Sequence, residues 1–297
     1  MNYEQFKQCI LSILQEKYPE GEYEVHIRQI LKNNGLRLDG LCIFRLKDPV
    51  SPTIYLDNYY EQYLGGMILA DIIFSIEKEY ERGMKLKPAL PTVESYYEAV
   101  RSQIIMRLVN YDKNKEILQD CPYIRFHDLA ISFRWLAYQD EIGISTALIS
   151  NKEMERWGIS LDQLYEDAVV NTERIFPVQI NRLKDVMETK GMLSEGGEFD
   201  LYLMTNNQGI NGATCILYNN VLRDFARIHK TSFYLLPSSI HEMMICFTDE
   251  QISEEMLLSL VKEANHLVVT MGEVLSDNIY YYDAKKDELS MILNIMN

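Results

Sequence analysis

Short apolar segments recur in pairs along this chain, and a brief polar link joins the members of each pair. After residue 128 the pairs are Leu129–Ala137 with Ile144–Ile149, Leu201–Thr205 with Ala213–Tyr218, the two halves of Phe233–Phe247, and Ile279–Asp283 with Leu289–Leu293. Strands joined by links this short run antiparallel, because a parallel crossover needs a dozen or more residues. The pattern therefore predicts a series of antiparallel β-hairpins.

Helical periodicity separates these strand pairs. Capping residues precede apolar residues at helical spacing in segments that end at Trp157, follow Ser160, cover Val221–His229 and run from Ser253 to Leu267. Helices that alternate with hairpins predict an α+β fold in which the helices cover the sheet. The chain shows no parallel βαβ run with a glycine-rich first turn, which argues against a doubly wound nucleotide-binding fold.

The first ninety residues follow a different pattern. A helix is predicted from Tyr3 to Tyr18, then one hairpin across Asn33-Asn34-Gly35, then mainly helix. We predict an N-terminal region at 1–90 and an α+β domain at 91–297, with Arg82–Pro91 as the linker and one compact unit as the alternative. Thr92 is the expected N-cap of a helix that reaches Asn110.

Composition narrows the classes of function. Among 297 residues, 29 are Lys or Arg and 44 are Asp or Glu, which gives a formal charge of −15. A nucleic-acid partner is not expected, because binding it needs a basic surface and no basic stripe stands out. No apolar run reaches the roughly 18 residues of a membrane span. No membrane contact is therefore expected. Five scattered cysteines without a CxxC pair predict a reduced, cytoplasmic protein without disulfides.

The link inside Phe233–Phe247 gathers reactive side chains, namely Ser238, Ser239, His241 and Glu242. They are our candidate catalytic residues, as a nucleophile and its base. Alternating strand geometry would place His241 and Glu242 on opposite faces, and the GxSxG elbow of serine hydrolases is absent. The simpler interpretation is a hairpin turn in which the serines bond to the backbone.

A metal site is not expected from the sequence. His127-Asp128 is a pair of the kind that holds metal in phosphohydrolases, but it precedes a strand and lacks further ligands at helical spacing. His241-Glu242 likewise lacks the second histidine of HExxH. We predict neither a metal nor an organic cofactor.

Two further groups are candidates for ligand binding. Asp277 precedes a strand on which Tyr280 and Tyr282 share one face, and tyrosines there would suit a pocket. Asn211 lies in the Asn/Gly-rich loop Asn206–Gly212, which could cradle a phosphate through its backbone N–H groups. That loop has no P-loop lysine, so a plain hairpin loop is the favoured interpretation.

Several segments together resemble one protein family. They are NNGLRLDGL, SPTIYLDNYYEQY, WGIS with the later Asn171-Thr172, INGA, LPSSIHE, EVLSD and YYYD, and they span nearly the whole chain. In this combination the chain resembles a family found in gut Firmicutes, domain of unknown function 5688. The resemblance implies a cytoplasmic bacterial protein. It carries over no catalytic role, but it places Asn211, the Ser238–Glu242 turn and Asp277 within shared segments.

The leading hypothesis is a protein that acts through protein or peptide contacts. It rests on the missing catalytic constellations, the acidic charge and twenty tyrosines, a residue type suited to interfaces. One alternative is a hydrolase that uses the Ser239, His241 and Glu242 turn. Another is a small-ligand sensor with a tyrosine-lined pocket. The sequence leaves the oligomeric state open.

Overall fold

A computed structural model describes residues 1–48, 51–85, 97–139, 144–189, 191, 201–248 and 253–293. The chain divides into two compact units. The first consists of Met1–Lys32 and Leu36–Ala89, and the second of Asn33–Gly35 and Leu90–Asn297. No helix among the described residues is both long and apolar enough to cross a membrane.

The first unit packs three helices against a small antiparallel sheet. Its elements are α1 (Tyr3–Lys17), β1 (Tyr23–Leu31), β2 (Arg37–Arg45), β3 (Thr53–Tyr55), α2 (Leu56–Leu64) and α3 (Leu69–Lys85). Asn2 caps α1 through a capping box with Gln5, which satisfies backbone N–H groups at the helix start. The predicted hairpin is confirmed, because β1 pairs with β2 from Tyr23 opposite Arg45 to Leu31 opposite Arg37.

The second unit contains the remaining elements. They are α4 (Tyr97–Val100), β4 (Ile104–Asn110), α5 (Lys115–Leu118), β5 (Tyr123–Phe126), β6 (Leu129–Gln139), β7 (Ile144–Leu148), α6 (Asn151–Trp157), α7 (Leu161–Ile175), β8 (Val178–Arg182), α8 (Leu183–Thr189), β9 (Leu201–Asn206), α9 (Val221–His229), β10 (Phe233–Ser239), β11 (Glu242–Phe247), α10 (Glu254–Leu267), β12 (Ile279–Asp283) and β13 (Glu288–Ile292). The hairpins β6–β7, β10–β11 and β12–β13 confirm three of the predicted strand pairs.

Two antiparallel sheets share the core of this unit. One has the strand order β13-β12-β10-β11-β9-β8, and the other has β4-β6-β5 with β7 beside β6. Leu235 and Ile245 from the first sheet and Met106 and Phe133 from the second are buried in one cluster. Helix α10 packs on the opposite face of the six-stranded sheet through Leu257, Leu258 and Val261. The fold is therefore α+β with antiparallel hairpins, as predicted.

Two predicted elements are wrong. Ile104–Asn110, expected to end a long helix, is the buried strand β4, which pairs with β6. Ala213–Tyr218, expected to be a return strand, lies mostly in the 3-10 helix Gly212–Leu217, whose first five residues are buried. Both runs are apolar and short, and such runs leave the choice between helix and strand to tertiary packing. Of the predicted linker, Arg82–Lys85 belongs to α3, and 86–91 lie outside the described residues.

Candidate functional site

The turn between β10 and β11 holds the candidate catalytic residues. Pro237 lies opposite Met243 and Ser239 lies opposite Glu242, so Ser238 is the extra residue of a β-bulge. Ile240 and His241 form the two-residue turn. His241 therefore precedes the strand instead of beginning it. The alternation of side chains along a strand does not determine where its side chain points.

Both ring nitrogens of His241 have partners. Nδ1 accepts a hydrogen bond from the backbone N–H of Asn211 at 3.1 Å, and Nε2 lies 3.4 Å from Oε1 of Glu273. A nitrogen that accepts carries no proton in neutral imidazole, so the proton is on Nε2 and faces the carboxylate. The structure thus joins two of the predicted site residues, His241 and Asn211, and adds Glu273.

A backbone frame holds this turn in place. Oγ1 of Thr205 donates to the His241 carbonyl at 2.8 Å, and the N–H of Ile240 donates to the carbonyl of Glu273 at 2.8 Å. Gly212 lies against the His241 carbonyl, and a Cβ at this position would overlap both the carbonyl oxygen and the Thr205 hydroxyl. The close approach requires glycine here, so the Asn/Gly-rich loop serves to seat the turn.

The two serines bond locally. Oγ of Ser238 donates to Oε1 of Glu242 at 3.2 Å, and Oγ of Ser239 accepts from the backbone N–H of His241 at 3.0 Å. Among the described residues, no hydroxyl is hydrogen-bonded to the His241 ring. A serine hydrolase needs a histidine nitrogen directed at its nucleophile, and here both nitrogens are occupied by other groups.

A second polar cluster surrounds Asp128, in the turn between β5 and β6. Its carboxylate accepts hydrogen bonds from the hydroxyl of Ser276, from Nδ2 of Asn278 at 2.9 Å and from the Tyr280 hydroxyl at 2.6 Å. Burial, with the nearby Asp128 charge, raises the pKa of Tyr280 well above its usual range. The sequence flagged Asp128 only as half of a metal dyad, whereas it ties three side chains of the 276–280 segment to the sheet turn.

The candidate tyrosines lie in the core. Tyr280 and Tyr282 share one face of β12, and both rings are buried in the central cluster. The Tyr282 hydroxyl donates to Asp287, which also pairs with Arg223. Burial and the hydrogen bond to Asp287 raise the pKa of Tyr282 to about 12. Both hydroxyls therefore serve as neutral donors to carboxylates.

Asp277 lies at a cleft beside α10. Its Oδ1 accepts a hydrogen bond from Nδ2 of Asn265 at 2.8 Å. The cleft has a volume of about 670 Å³, and its lining is Lys113, Ser259, Lys262, Glu263, Asn265, His266, Val274 and Asp277. Helix α10 supplies most of one wall.

Helix α10 and the residues that follow it display exposed apolar side chains that the sequence reading missed. We define the α10 stripe as Met256, Leu260, Leu267, Val268 and Met271, whose exposed fractions lie between 49% and 80%. Met256, Leu260 and Leu267 are spaced by four and seven residues, so they share one helix face. The sequence could have revealed this face, because the predicted helix Ser253–Leu267 carries apolar residues on two faces and only one can pack on the sheet.

The described residues contain no group of three or more His, Cys, Asp or Glu side chains placed to hold a metal ion. By its architecture the protein is an α+β protein built on antiparallel sheets. Residues 3–284 match a family described as a family of unknown function, DUF5688, and the chain belongs to this family. No curated protein and no solved structure matches the chain.

Proposed function

We propose that this protein binds a partner protein through the α10 stripe, and that the partner presents a basic amphipathic helix. The supporting observation is the stripe itself. Single apolar side chains on a surface are ordinary, but several on one face of a helix favour an interaction site. Leu257, Leu258 and Val261 pack another side of α10 against the sheet, so the exposed apolar side chains are not needed to hold the helix in place.

Charge selects the chemistry of the partner. Glu263 lies on the same helix face as Leu260, three residues further along, and Glu254 and Glu255 occupy the exposed first turn of α10. The whole chain carries a formal charge of −15. A second copy would bring like charges together, whereas a helix with apolar residues at matching spacing and Lys or Arg beside them complements both features.

A direct binding measurement tests this proposal. The probe is a fluorescent helical peptide of about fifteen residues with Leu on one face and Lys on the other, and its partner probe has Glu in place of Lys. Fluorescence anisotropy should show saturable binding of the Lys peptide and none of the Glu peptide. The double variant Leu260→Gln with Leu267→Gln should weaken this binding at least about tenfold, a loss of about 1.4 kcal/mol.

Ile228 supplies the matched control. It is 74% exposed on α9, so Ile228→Gln removes a similar apolar surface outside the stripe and should leave the affinity unchanged. Equal weakening by both variants, or equal binding of both peptides, would overturn the proposal. A dimer detected by light scattering that the double variant dissolves would assign the stripe to a second copy.

We also propose that the protein works in the bacterial cytoplasm. All five cysteines are free thiols, and four of them are buried. Burial raises the pKa of Cys121 to about 11 and that of Cys215 to about 12, mainly because a thiolate is poorly solvated there. Unreactive buried thiols without disulfides are usual in reducing compartments. Iodoacetamide should therefore alkylate the native protein fastest at Cys9, the one cysteine that is not buried.

A further inference from the structure

Two arginines lie side by side on the outer face of the four-stranded sheet. Arg107 of β4 lies opposite Ser132 of β6, and Arg134 lies opposite Ile105. Their strand neighbours Met106 and Phe133 face the shared core, so both arginines face the other way. Arg107 and Arg134 are diagonal neighbours across the strand pair, a distance that long side chains bridge.

The two positive charges have no counter-charge among the described residues. The Arg107 side chain makes no hydrogen bond or ion pair there, and its Nε is shielded from solvent without a partner. Arg134 donates to the hydroxyl of Thr146 at 2.6 Å and to the Thr146 carbonyl at 3.2 Å, both neutral acceptors. Burial, with a contribution from the Arg134 charge, lowers the pKa of Arg107 to about 10.

Apolar packing surrounds this pair. Ile105, Leu136 and Phe176 form a buried cluster toward one end of the same sheet face, and Val109 with Leu118 forms another toward the other end. An unpaired charge between apolar clusters is costly, and its attraction for an opposite charge is correspondingly strong because the local dielectric constant is low.

An open cleft reaches the same face. Tyr123 lies opposite Ser132, in one row with Arg107, and it lines a cleft of about 600 Å³ together with Cys121 and Lys115. Cys121 also lines this cleft, and the Arg134 charge partly offsets the rise that burial causes in the pKa of its thiol. The row of side chains that holds Arg107 therefore ends at the cleft wall, in Tyr123.

We propose that Arg107 and Arg134 form a binding site for an oxyanion, the phosphate or carboxylate group of a small ligand. The planar guanidinium presents parallel N–H donors that match two oxygens of either group. One anion between the two arginines would relieve their mutual repulsion and supply acceptors for the unpartnered Arg107. This site is separate from the α10 stripe and is independent of the function proposed above.

Thermal unfolding in the presence of simple anions tests the site. Inorganic phosphate and sodium acetate are compared with NaCl at equal ionic strength. A ligand present at about fifty times its Kd should raise Tm by about 5 °C beyond the NaCl effect. A shift with phosphate alone identifies a phosphoryl group, a shift with acetate alone identifies a carboxylate, and a shift with both supports a general oxyanion site. No shift with either would overturn the proposal.

Two variants decide whether Arg107 is the receptor. Arg107→Met should abolish the anion-specific shift and raise Tm without anions, because a partly buried, unpaired charge becomes an apolar chain of similar length. Arg107→Lys keeps the positive charge but loses the parallel N–H donors of the guanidinium, and it should weaken binding at least about tenfold. Arg227→Met, at an exposed arginine of α9, should leave the shift unchanged. An anion shift that persists in Arg107→Met would disprove the site.

Discussion

Asp128 and Arg107 are charged side chains of the same unit that differ in their hydrogen bonding. The Asp128 carboxylate receives hydrogen bonds from Ser276, Asn278 and Tyr280, which replace the water that it loses. Arg107 receives no such compensation among the described residues. Because a buried polar group stabilises a fold only when it is satisfied, Asp128 is a structural anchor. Arg107, partly buried and with its Nε unpartnered, is the residue that we propose binds an anion.

Tyr280→Phe should destabilise the protein by about 1.5–3 kcal/mol, because it removes a hydrogen bond to a charged acceptor and leaves that acceptor partly unsatisfied. Urea unfolding at neutral pH measures the loss. Tyr281→Phe is the control, since Tyr281 lies on the opposite face of the same strand, and it should change the free energy of unfolding by less than about 0.5 kcal/mol. Equal effects of the two variants would contradict the role of the Asp128 bond.

The same two variants show how much Tyr280 contributes to the pH dependence of the free energy of unfolding. The pKa of Tyr280 is raised in the folded state, so above about pH 10 the unfolded chain loses a proton that the folded chain retains. The stabilisation is complete below that pH and declines as the pH rises further. Between about pH 9 and pH 11, stability should fall less steeply in Tyr280→Phe than in Tyr281→Phe. Parallel curves would rule this out.

At the scale of elements, two threonine hydroxyls accept hydrogen bonds from the edge of β4 that pairs with no other strand of the described residues. The N–H of Met106 donates to Oγ1 of Thr172 on α7 at 2.8 Å, and the N–H of Leu108 donates to Oγ1 of Thr214 in the 3-10 helix at 3.1 Å. An unpaired strand edge is a template for aggregation. The helices that border β4 therefore both satisfy its backbone and block further pairing.

Thr214→Val should cost about 1–3 kcal/mol, because it keeps the side-chain shape and leaves the buried N–H of Leu108 without an acceptor. Amide hydrogen exchange should show faster exchange at Leu108 and unchanged exchange at Met106, which Thr172 still covers. Thr189→Val is the control, because the Thr189 hydroxyl bonds only the exposed carbonyl of Asp185. Unchanged protection at Leu108 would contradict the assigned bond.

The same elements show what the sequence could predict. Hairpins such as β10–β11 were predictable because a short link dictates their pairing. The strand β4 was not, because its N–H groups are satisfied by Thr172 and Thr214, which lie 66 and 106 residues away. For the candidate site, the turn itself was predictable. The contacts of His241 with Asn211 and Glu273 were not, since they form only after β9, the hairpin and the 272–278 segment come together.

At the scale of the whole molecule, the dominant property is a formal charge of −15. Self-repulsion of this size opposes folding, and the same field attracts a basic partner. Added salt weakens both effects because it shortens the distance over which charges interact, from about 30 Å at 0.01 M to about 8 Å at 0.15 M. Stability and partner affinity should therefore respond to salt in opposite directions.

Raising NaCl from about 0.01 M to about 0.15 M should increase Tm while it weakens binding of the Lys peptide to the α10 stripe. Thermal unfolding and fluorescence anisotropy on the same samples measure the two responses. Moving the pH toward the isoelectric point near 4.8 should shrink the effect on Tm, because the net charge vanishes there. If salt raised both Tm and affinity, apolar contact alone would hold the peptide. That result would contradict the proposal that the partner is basic.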